Sequence, residues 1–437
     1  MLSFRYLAIY IVLWMGGSLP VRAQADTLVL QEPGVFLKEL REWVLNQRKA
    51  AEPQVQAFTD VFEGQMDEDQ QLAVMQACTR MRAKRIPAVP YFQDYMGAVA
   101  LFFQQGYGRD RFYQWNAVVD SLVSRLETRK LSPIRDFLAF SHRFFQDQSL
   151  RYSELGTSWY ARTPDWRVQF EGEDPVVRFP AFDLVAVRKQ DSISISNTEG
   201  VFFPVTTTWR GQGGRVSWDR FPAMEEGVYV ELQDYQIDLS KSLYEAQHAR
   251  LYYPLYFGQK AVVGRFSDKL VVANVATESS YPRFESKAQI LKIDNFGEGV
   301  EFIGGFRLQG MTVYGGGTGE ERATLRILDP KTRRLLFQGK GESFTIRREE
   351  RISAEQVDCA LYFQQGDSLS HPSVNIRYEV PTRTLRLSRG KRGSDRYPFA
   401  SSFHNVNINA DKILAFFDAD SLAIGQDIVS FSRKQEA

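Results

Sequence analysis

Four histidines, His142, His248, His371 and His404, are all the imidazole this chain can bring to a catalytic or metal site. None has a second histidine two or four residues away, so the paired-ligand spacing of zinc peptidases is missing. His371 and His404 share one stretch, where folding can bring them together. No Gly-x-Ser-x-Gly elbow is present to expose an activated serine, and Ser153, Ser158 and Ser192 have no supporting pattern. Glu171, Glu173 and Asp174 cluster, but a glycosidase needs two carboxylates facing each other across a cleft. These three read as a solvated loop. Asp418 and Asp420 form a lone Asp-x-Asp, short of the oxygen ligands of a calcium loop. The run Gly315-Gly316-Gly317-Thr318-Gly319 looks like a phosphate cradle, yet no Lys-Ser/Thr follows it and the next residues are of β type. It reads as a hairpin or bulge, as do Gly211, Gly213 and Gly214, because glycine permits positive φ and close backbone approach. Cys78 and Cys359 are too few for a thiolate cluster or a disulfide framework and read as small buried hydrophobes. No catalytic residue, metal ligand or cofactor is assigned.

The remaining binding chemistry is aromatic and basic. Tyr244, Tyr252, Tyr253, Tyr256 and Phe257 surround Pro254 and Gly258, and Arg377, Arg383, Arg386, Arg389, Lys391 and Arg392 surround Tyr378. An arginine-rich sheet face attracts a phosphorylated lipid, an acidic glycan or another envelope protein. Aromatic rings offer flat apolar contact to a sugar or a protein. The candidate patch is therefore Tyr252, Tyr253, Tyr256, Arg377, Tyr378, Arg386, Arg389 and Arg392. A solvated sheet face and a filled core would use the same residue types.

Those residues must be positioned by a chain whose 54 Lys and Arg nearly balance 53 Asp and Glu, for a net charge of +1. Phosphate neutralisation needs a local cation surplus, so nucleic acid is not expected as an obligatory partner. At the amino end, Arg5 precedes an apolar run from Leu7 to Met15. Gly16, Gly17, Ser18 and Pro20 then break it, and Ala23-Gln24-Ala25 supplies small residues for cleavage. This is the order of an export signal. The run is too short to span a bilayer comfortably, and no later segment has transmembrane length. The expected location is periplasmic or extracellular, with peripheral association to the outer membrane.

From residue 33 to about 155 the apolar spacing is helical. Phe36, Leu37, Leu40 and Val44 form one stripe, and Val55, Phe58, Val61 and Phe62 a second. Residues 67–85 carry Leu72, Met75, Cys78 and Met81 behind an acidic start that suits a helix dipole. Further amphipathic runs at 91–105, 112–126 and 133–145 make four to six packed helices. Residues 155–165 read as a turn-rich joint. Alternation then begins at Trp166 and recurs in short segments separated by turns at 197–200, 211–214 and 225–227, which predicts antiparallel sheet. A second β block starts near Lys287, with a hairpin turn at Asp329-Pro330-Lys331-Thr332, and runs to segments at 413–417 and 428–431. The expected organisation is a signal (1–25), a helical domain (26–160) and two β-rich domains (161–285 and 286–437). The class is α+β, with sheets arranged as a sandwich or a solenoid-like stack. Asp191-Ser192-Ile193, Asp367-Ser368-Leu369 and Asp420-Ser421-Leu422 echo one another near strands.

Two stretches carry a family resemblance. One runs from Asp191-Ser192-Ile193 to Trp209-Arg210-Gly211-Gln212-Gly213-Gly214 and on to Trp218. The other runs from Asp367-Ser368-Leu369-Ser370-His371-Pro372 to Arg377-Tyr378 and Arg389. Over the β-rich body the chain resembles the large uncharacterised secreted β-rich envelope proteins of the Bacteroidota. The resemblance implies an envelope location and supplies no catalytic residues. The expected function is a non-enzymatic extracytoplasmic scaffold or interaction protein whose partner is an envelope protein. A carrier or assembly factor for lipid or lipopolysaccharide and a glycan-binding or glycan-active protein stand as alternatives.

Overall fold

Apolar stripes at helical spacing become six α-helices: α1 (Pro33–Gln47), α2 (Glu52–Gly64), α3 (Glu68–Ala83), α4 (Gln93–Gln104), α5 (Arg109–Ser124) and α6 (Ser132–Asp147). The structure, a computed structural model, describes residues 32–126, 130–189, 191–221, 224–270, 280–287, 290–318, 321–347, 350–390 and 393–425. The expected export signal, Arg392 and the segment expected at 428–431 lie outside the described residues, as does the side chain of His404. Helix α3 starts as the sequence implies. The Asp67 carboxylate accepts from the Gln70 N–H at 2.9 Å while the Gln70 side chain accepts from the Asp67 N–H at 3.0 Å, a reciprocal cap. Glu68 and Asp69 open that helix and Arg80 and Arg82 close it, each sign set against the opposite end of the dipole. All eight residues of the first two expected stripes are buried, but Leu72 is exposed and Val74 takes its place inside. Trp115 is fully buried, stacked on Tyr95 at 5.6 Å, and its indole N–H donates to Ser141 at 3.0 Å.

The chain divides into two compact units, one of residues up to 146 together with 168–170, the other of 147–167 and 171 onward. The β-structure begins with β1 (Ser149–Arg151), β2 (Ser158–Ala161), β3 (Arg167–Glu171), β4 (Asp174–Arg188), β5 (Asp191–Phe203), β6 (Thr208–Gln212) and β7 (Arg215–Ser217). It continues with β8 (Tyr229–Leu232), β9 (Asp234–Asp238), β10 (Leu243–Tyr252), a single turn α7 (Pro254–Phe257), β11 (Val262–Lys269), β12 (Arg283–Ser286) and β13 (Leu291–Ile293). Then come β14 (Val300–Gln309), β15 (Thr312–Gly316), β16 (Ala323–Leu328), β17 (Leu335–Gly341), β18 (Ser343–Arg347) and β19 (Arg351–Tyr362). The last are β20 (Ser368–Glu379), β21 (Thr384–Arg389), β22 (Phe399–Ser401), β23 (Val406–Ile408), β24 (Lys412–Phe416) and β25 (Ser421–Gly425). A boundary near residue 286 falls inside β12, and the expected joint at 155–165 contains β2.

Long strands serve two sets of neighbours. The first half of β14 pairs with β16 and the second with β15. In β19 the first half pairs with β18 and the second with β17, while β20 divides between β22 and β21. All these pairs are antiparallel. One continuous row crosses ten strands: Phe266, Phe284, Leu308, Val313, Ile346, Ile352, Tyr378, Leu385, Ala415 and Leu422, each opposite the next. The first nine are buried and the last is not. Neighbouring residues point the other way, as the two-residue period demands, and make an outer row that includes Arg265, Glu285, Arg307, Arg377 and Arg386.

Two glycine readings hold in part, since Thr318 and Glu321 exchange backbone hydrogen bonds just past Gly317. Gly315 and Gly316 belong to β15 and have no positive φ; Gly315 lacks a Cβ because the Phe302 ring, which also meets Phe344 at 5.9 Å, fills that space. Gly211 likewise lies within β6 against Tyr235, whereas Gly213 and Gly214, at φ 66° and 111°, do make a turn. The turn expected at 197–200 is a bulge inside β5. Asn197 takes φ 53° and its N–H donates to the Asp183 carboxylate at 2.9 Å, so the strand bends and continues. The Asp329 turn is as read, with the carboxylate accepting from the N–H groups of Lys331 and Thr332 at 3.0 and 2.7 Å.

The three Asp-Ser-Ile/Leu echoes all sit where the second strand of a hairpin begins. In β4–β5, Val177 opposes Phe202, Phe182 opposes Thr198 and Leu184 opposes Ile195. In β19–β20, Ile352 opposes Tyr378, Val357 opposes Val374 and Cys359 opposes His371. The two sets of partners keep constant offsets, with register breaks at the same places. The turns after these hairpins agree as well: Thr207 and Arg383 take φ 54° and 45°, and the next hydroxyl, of Thr208 or Thr384, donates to the carbonyl of Thr206 or Thr382. The β4–β5 and β19–β20 hairpins are one unit used twice.

Candidate functional site

The expected patch separates into buried and exposed members. Tyr253, Tyr256 and Tyr378 are buried. Around α7, Tyr256 meets Phe296 at 4.8 Å and Tyr253 at 4.5 Å, and the Tyr253 hydroxyl donates to Glu225 at 2.7 Å. Burial is the largest cause holding both the Tyr253 and Tyr378 hydroxyls above the usual tyrosine value. Tyr378 cannot share a face with Arg377, because adjacent strand residues point to opposite sides. Tyr252 stacks on Tyr229 at 4.7 Å and donates to Glu231 at 3.1 Å. Arg377 and Arg386 do come together, as directly opposed residues on the outer face of β20 and β21. Each is engaged locally, Arg377 by Glu379 at 2.5 Å and Arg386 by the Ser388 hydroxyl at 3.2 Å. Arg389 is a brace: its guanidinium donates to Asn409 at 2.6 Å, to Asp411 at 3.2 Å and to the Tyr397 carbonyl at 3.3 Å.

His371 is a buried strut. Its Nδ1 accepts from the Ser373 N–H at 3.0 Å, which leaves Nε2–H to donate to the Tyr397 carbonyl at 2.7 Å. The Ser373 hydroxyl donates to Asp395, and the Phe399 ring lies 4.7 Å from the imidazole. Burial, with Arg389 adding to it, depresses the His371 pKa below 6.5. A group buried in its neutral form contributes no penalty above 6.5, and stability falls as pH drops through the lowered value. The protein is therefore expected to lose thermal stability from pH 7.5 to 5, and His371→Leu is expected to lose less over that interval. Melting curves of both at four pH values check this, with equal losses counting against the strut.

Two openings of the described surface bear on binding. Between β9 and β10 lies a cleft of about 700 Å³ lined by Asp234, Asp238, Lys241, Glu245 and the buried Tyr235 and Tyr244. Glu245 is paired with Arg265 at 2.5 Å, and Asp238 is held by Ser240 and by Lys241 at 3.2 Å. Ser240 is the largest cause of the lowered Asp238 pKa. The second opening is at the last strands, where β23 and β25 each pair on one side only among the described residues. A groove of about 430 Å³ runs there over Leu369, Phe403, Ile408, Leu422 and Ile424, with Asp367 and Asp420 at its rim. The Asp420 carboxylate accepts from Gln364 at 2.7 Å and Asp367 from the Ser402 hydroxyl at 2.9 Å; neither faces a cation among the described residues.

None of the patch residues expected from the sequence lines this groove. The signal that marks it is the Asp-Ser-Leu recurrence, which places Asp367 and Asp420 at equivalent turns. Among the described residues no cluster of three or more His, Cys, Asp or Glu is arranged to hold a metal ion, and no helix is long and apolar enough to cross a membrane. The chain matches no family model, no curated protein and no solved structure.

Proposed function

We propose that this chain is a non-enzymatic, extracytoplasmic scaffold or interaction protein of the cell envelope, and that the groove between β23 and β25 is its contact surface. Its architecture is read as hairpins stacked in two layers, with that groove as an open end. The observation that carries this is the exposure of Leu422 and Ile424, which continue a row of side chains that is otherwise buried. Contiguous apolar surface with a polar rim marks a site of association. Export through residues 1–25 places that surface in the periplasm or outside the cell. An acidic rim disfavours the anionic head group of a lipopolysaccharide, so the carrier alternative has less support. The β9–β10 cleft presents no exposed aromatic ring to a sugar, and Glu245 and Asp238 have partners of their own. The test is capture from an envelope extract with the tagged chain. Ile424→Asp and Leu422→Asp are expected to reduce the recovered partner at least tenfold without lowering the melting temperature. Undiminished recovery would remove the groove from the function.

A further inference from the structure

Three hairpins share one frame at their turns. Ala186 opposes Ile193 and Leu184 opposes Ile195 in β4–β5; Leu361 opposes Leu369 and Cys359 opposes His371 in β19–β20. In β24–β25, Ala415 opposes Leu422 and Ile413 opposes Ile424. The six first-strand residues are buried in all three hairpins. The second-strand residues are buried in the first two (Ile195 at 1 %, Leu369 at 2 %), whereas Leu422 is 37 % and Ile424 54 % exposed.

A third strand makes the difference. Strand β7 joins β5 at Ser196 and Arg215, with Gly214 brought against Ile195. Strand β22 joins β20, with Ser401 opposite Leu369 and Ala400 opposite Ser370, and it delivers Phe399 onto His371. Among the described residues no strand performs this service for β25. Its outer edge therefore keeps a row of backbone donors and acceptors free for pairing, beside apolar side chains that two sister hairpins bury.

We propose that β25 is completed by an extended strand donated by a partner protein, apolar at alternate residues and cationic at the end that meets Asp367 and Asp420. This rests on the reading of the groove as the contact surface and names the kind of partner it takes. Backbone pairing along an edge supplies affinity, and pockets for every second side chain supply selection. Leu369, Ile408, Leu422 and Ile424 form the pocket floor, and Asp367 and Asp420 provide negative charge at its rim. A second copy of the chain would bring two further carboxylates to the same rim, and like charges brought together there oppose that arrangement.

The probe is a fluorescein-labelled ten-residue peptide alternating Val and Thr with Lys at its ends, titrated by anisotropy against the full chain. Saturable binding is expected, weakened at least tenfold when Lys is replaced by Glu or when a central Val is replaced by Pro. Ile424→Asp is expected to abolish it, and Asp367→Asn with Asp420→Asn to weaken it about tenfold, whereas Ala423→Asp on the opposite face leaves it intact. Binding that ignores the Pro substitution or Ile424→Asp overturns the proposal. So does binding that appears only after residues 426–437 are removed, which makes the occupant the chain's own tail. A dimer in light scattering that Ile424→Asp dissolves also overturns it, with a second copy as occupant. If Ile424→Asp abolishes partner capture while no peptide binds, the groove stands as an interface and the donated strand falls. If capture is untouched, both fall.

Discussion

Gly315→Val is expected to destabilise the β unit by about 3 kcal/mol, the upper end of what overpacking a filled core costs. The place of its side chain is already taken. Phe302, from the half of β14 that pairs with β16, lays its fully buried ring over Gly315 on β15. Neither backbone can withdraw easily, since Gly315 is held between Phe306 on β14 and Phe344 on β18. The next residue makes the control. A Cβ on Gly316 would meet nothing nearer than the Glu342 carbonyl at 3.7 Å, so Gly316→Ala should change stability by about 0.5 kcal/mol or less. Combining Gly315→Val with Phe302→Ala should cost less than the sum of the two single changes, a coupling of about 1 kcal/mol or more between touching residues. Urea unfolding followed by tryptophan fluorescence measures the parent, the Gly315→Val, Gly316→Ala and Phe302→Ala proteins and the double variant. A Gly315→Val protein as stable as the parent would show that the Phe302 ring is not pressed against Gly315.

That contact explains why part of the fold was legible in the sequence and part was not. Helices α1 and α2 could be read because Phe36, Leu40, Val55 and Phe58 repeat at a spacing that only one helical face satisfies. The strands could be read wherever they alternate. Gly315 could not, because its composition signals a turn and its reason is a ring from thirteen residues earlier on another strand. Asn197 to Gly200 misled for a related cause: turn-forming residues also build bulges, and local sequence does not say whether the partner strand continues past them. Parity divided the candidate patch. Arg377 and Tyr378 are adjacent, so one faces solvent whenever the other faces the core, and Tyr253 and Tyr256 were drawn inward by Phe296 and Phe306. Leu422 and Ile424 look like any buried strand pair in sequence. Only the pairing of β25 shows that they are uncovered.

Replacing Arg220 by methionine is expected to cost about 3 kcal/mol at neutral pH, the loss incurred when one member of a buried ion pair is removed. Asp268 is completely buried on β11, where the Lys269 N–H donates to it at 2.8 Å, and the Arg220 guanidinium is its ionic partner. Burial raises the Asp268 pKa above 3.8, and Arg220 is the largest influence opposing that rise. A carboxyl with a raised folded-state pKa contributes its stability below the unfolded value and loses it as pH climbs through the folded one. Without Arg220 the folded value moves higher still, so at neutral pH the variant must bury an uncompensated charge or hold a proton that the unfolded chain releases. Acidification supplies that proton. The deficit of Arg220→Met relative to the parent should therefore shrink steadily from pH 7.5 toward 5, while the His371 contribution, common to both proteins, cancels in the difference. Adding Asp268→Asn should recover most of the loss and flatten its pH dependence, because a neutral amide needs hydrogen bonds but no counter-charge. Urea midpoints for the parent, the single variant and the double variant at pH 7.5, 6 and 5 decide it. A deficit that is the same at all three values would mean that Arg220 acts through packing of its aliphatic stem, and that the carboxylate beneath it is solvated by other means.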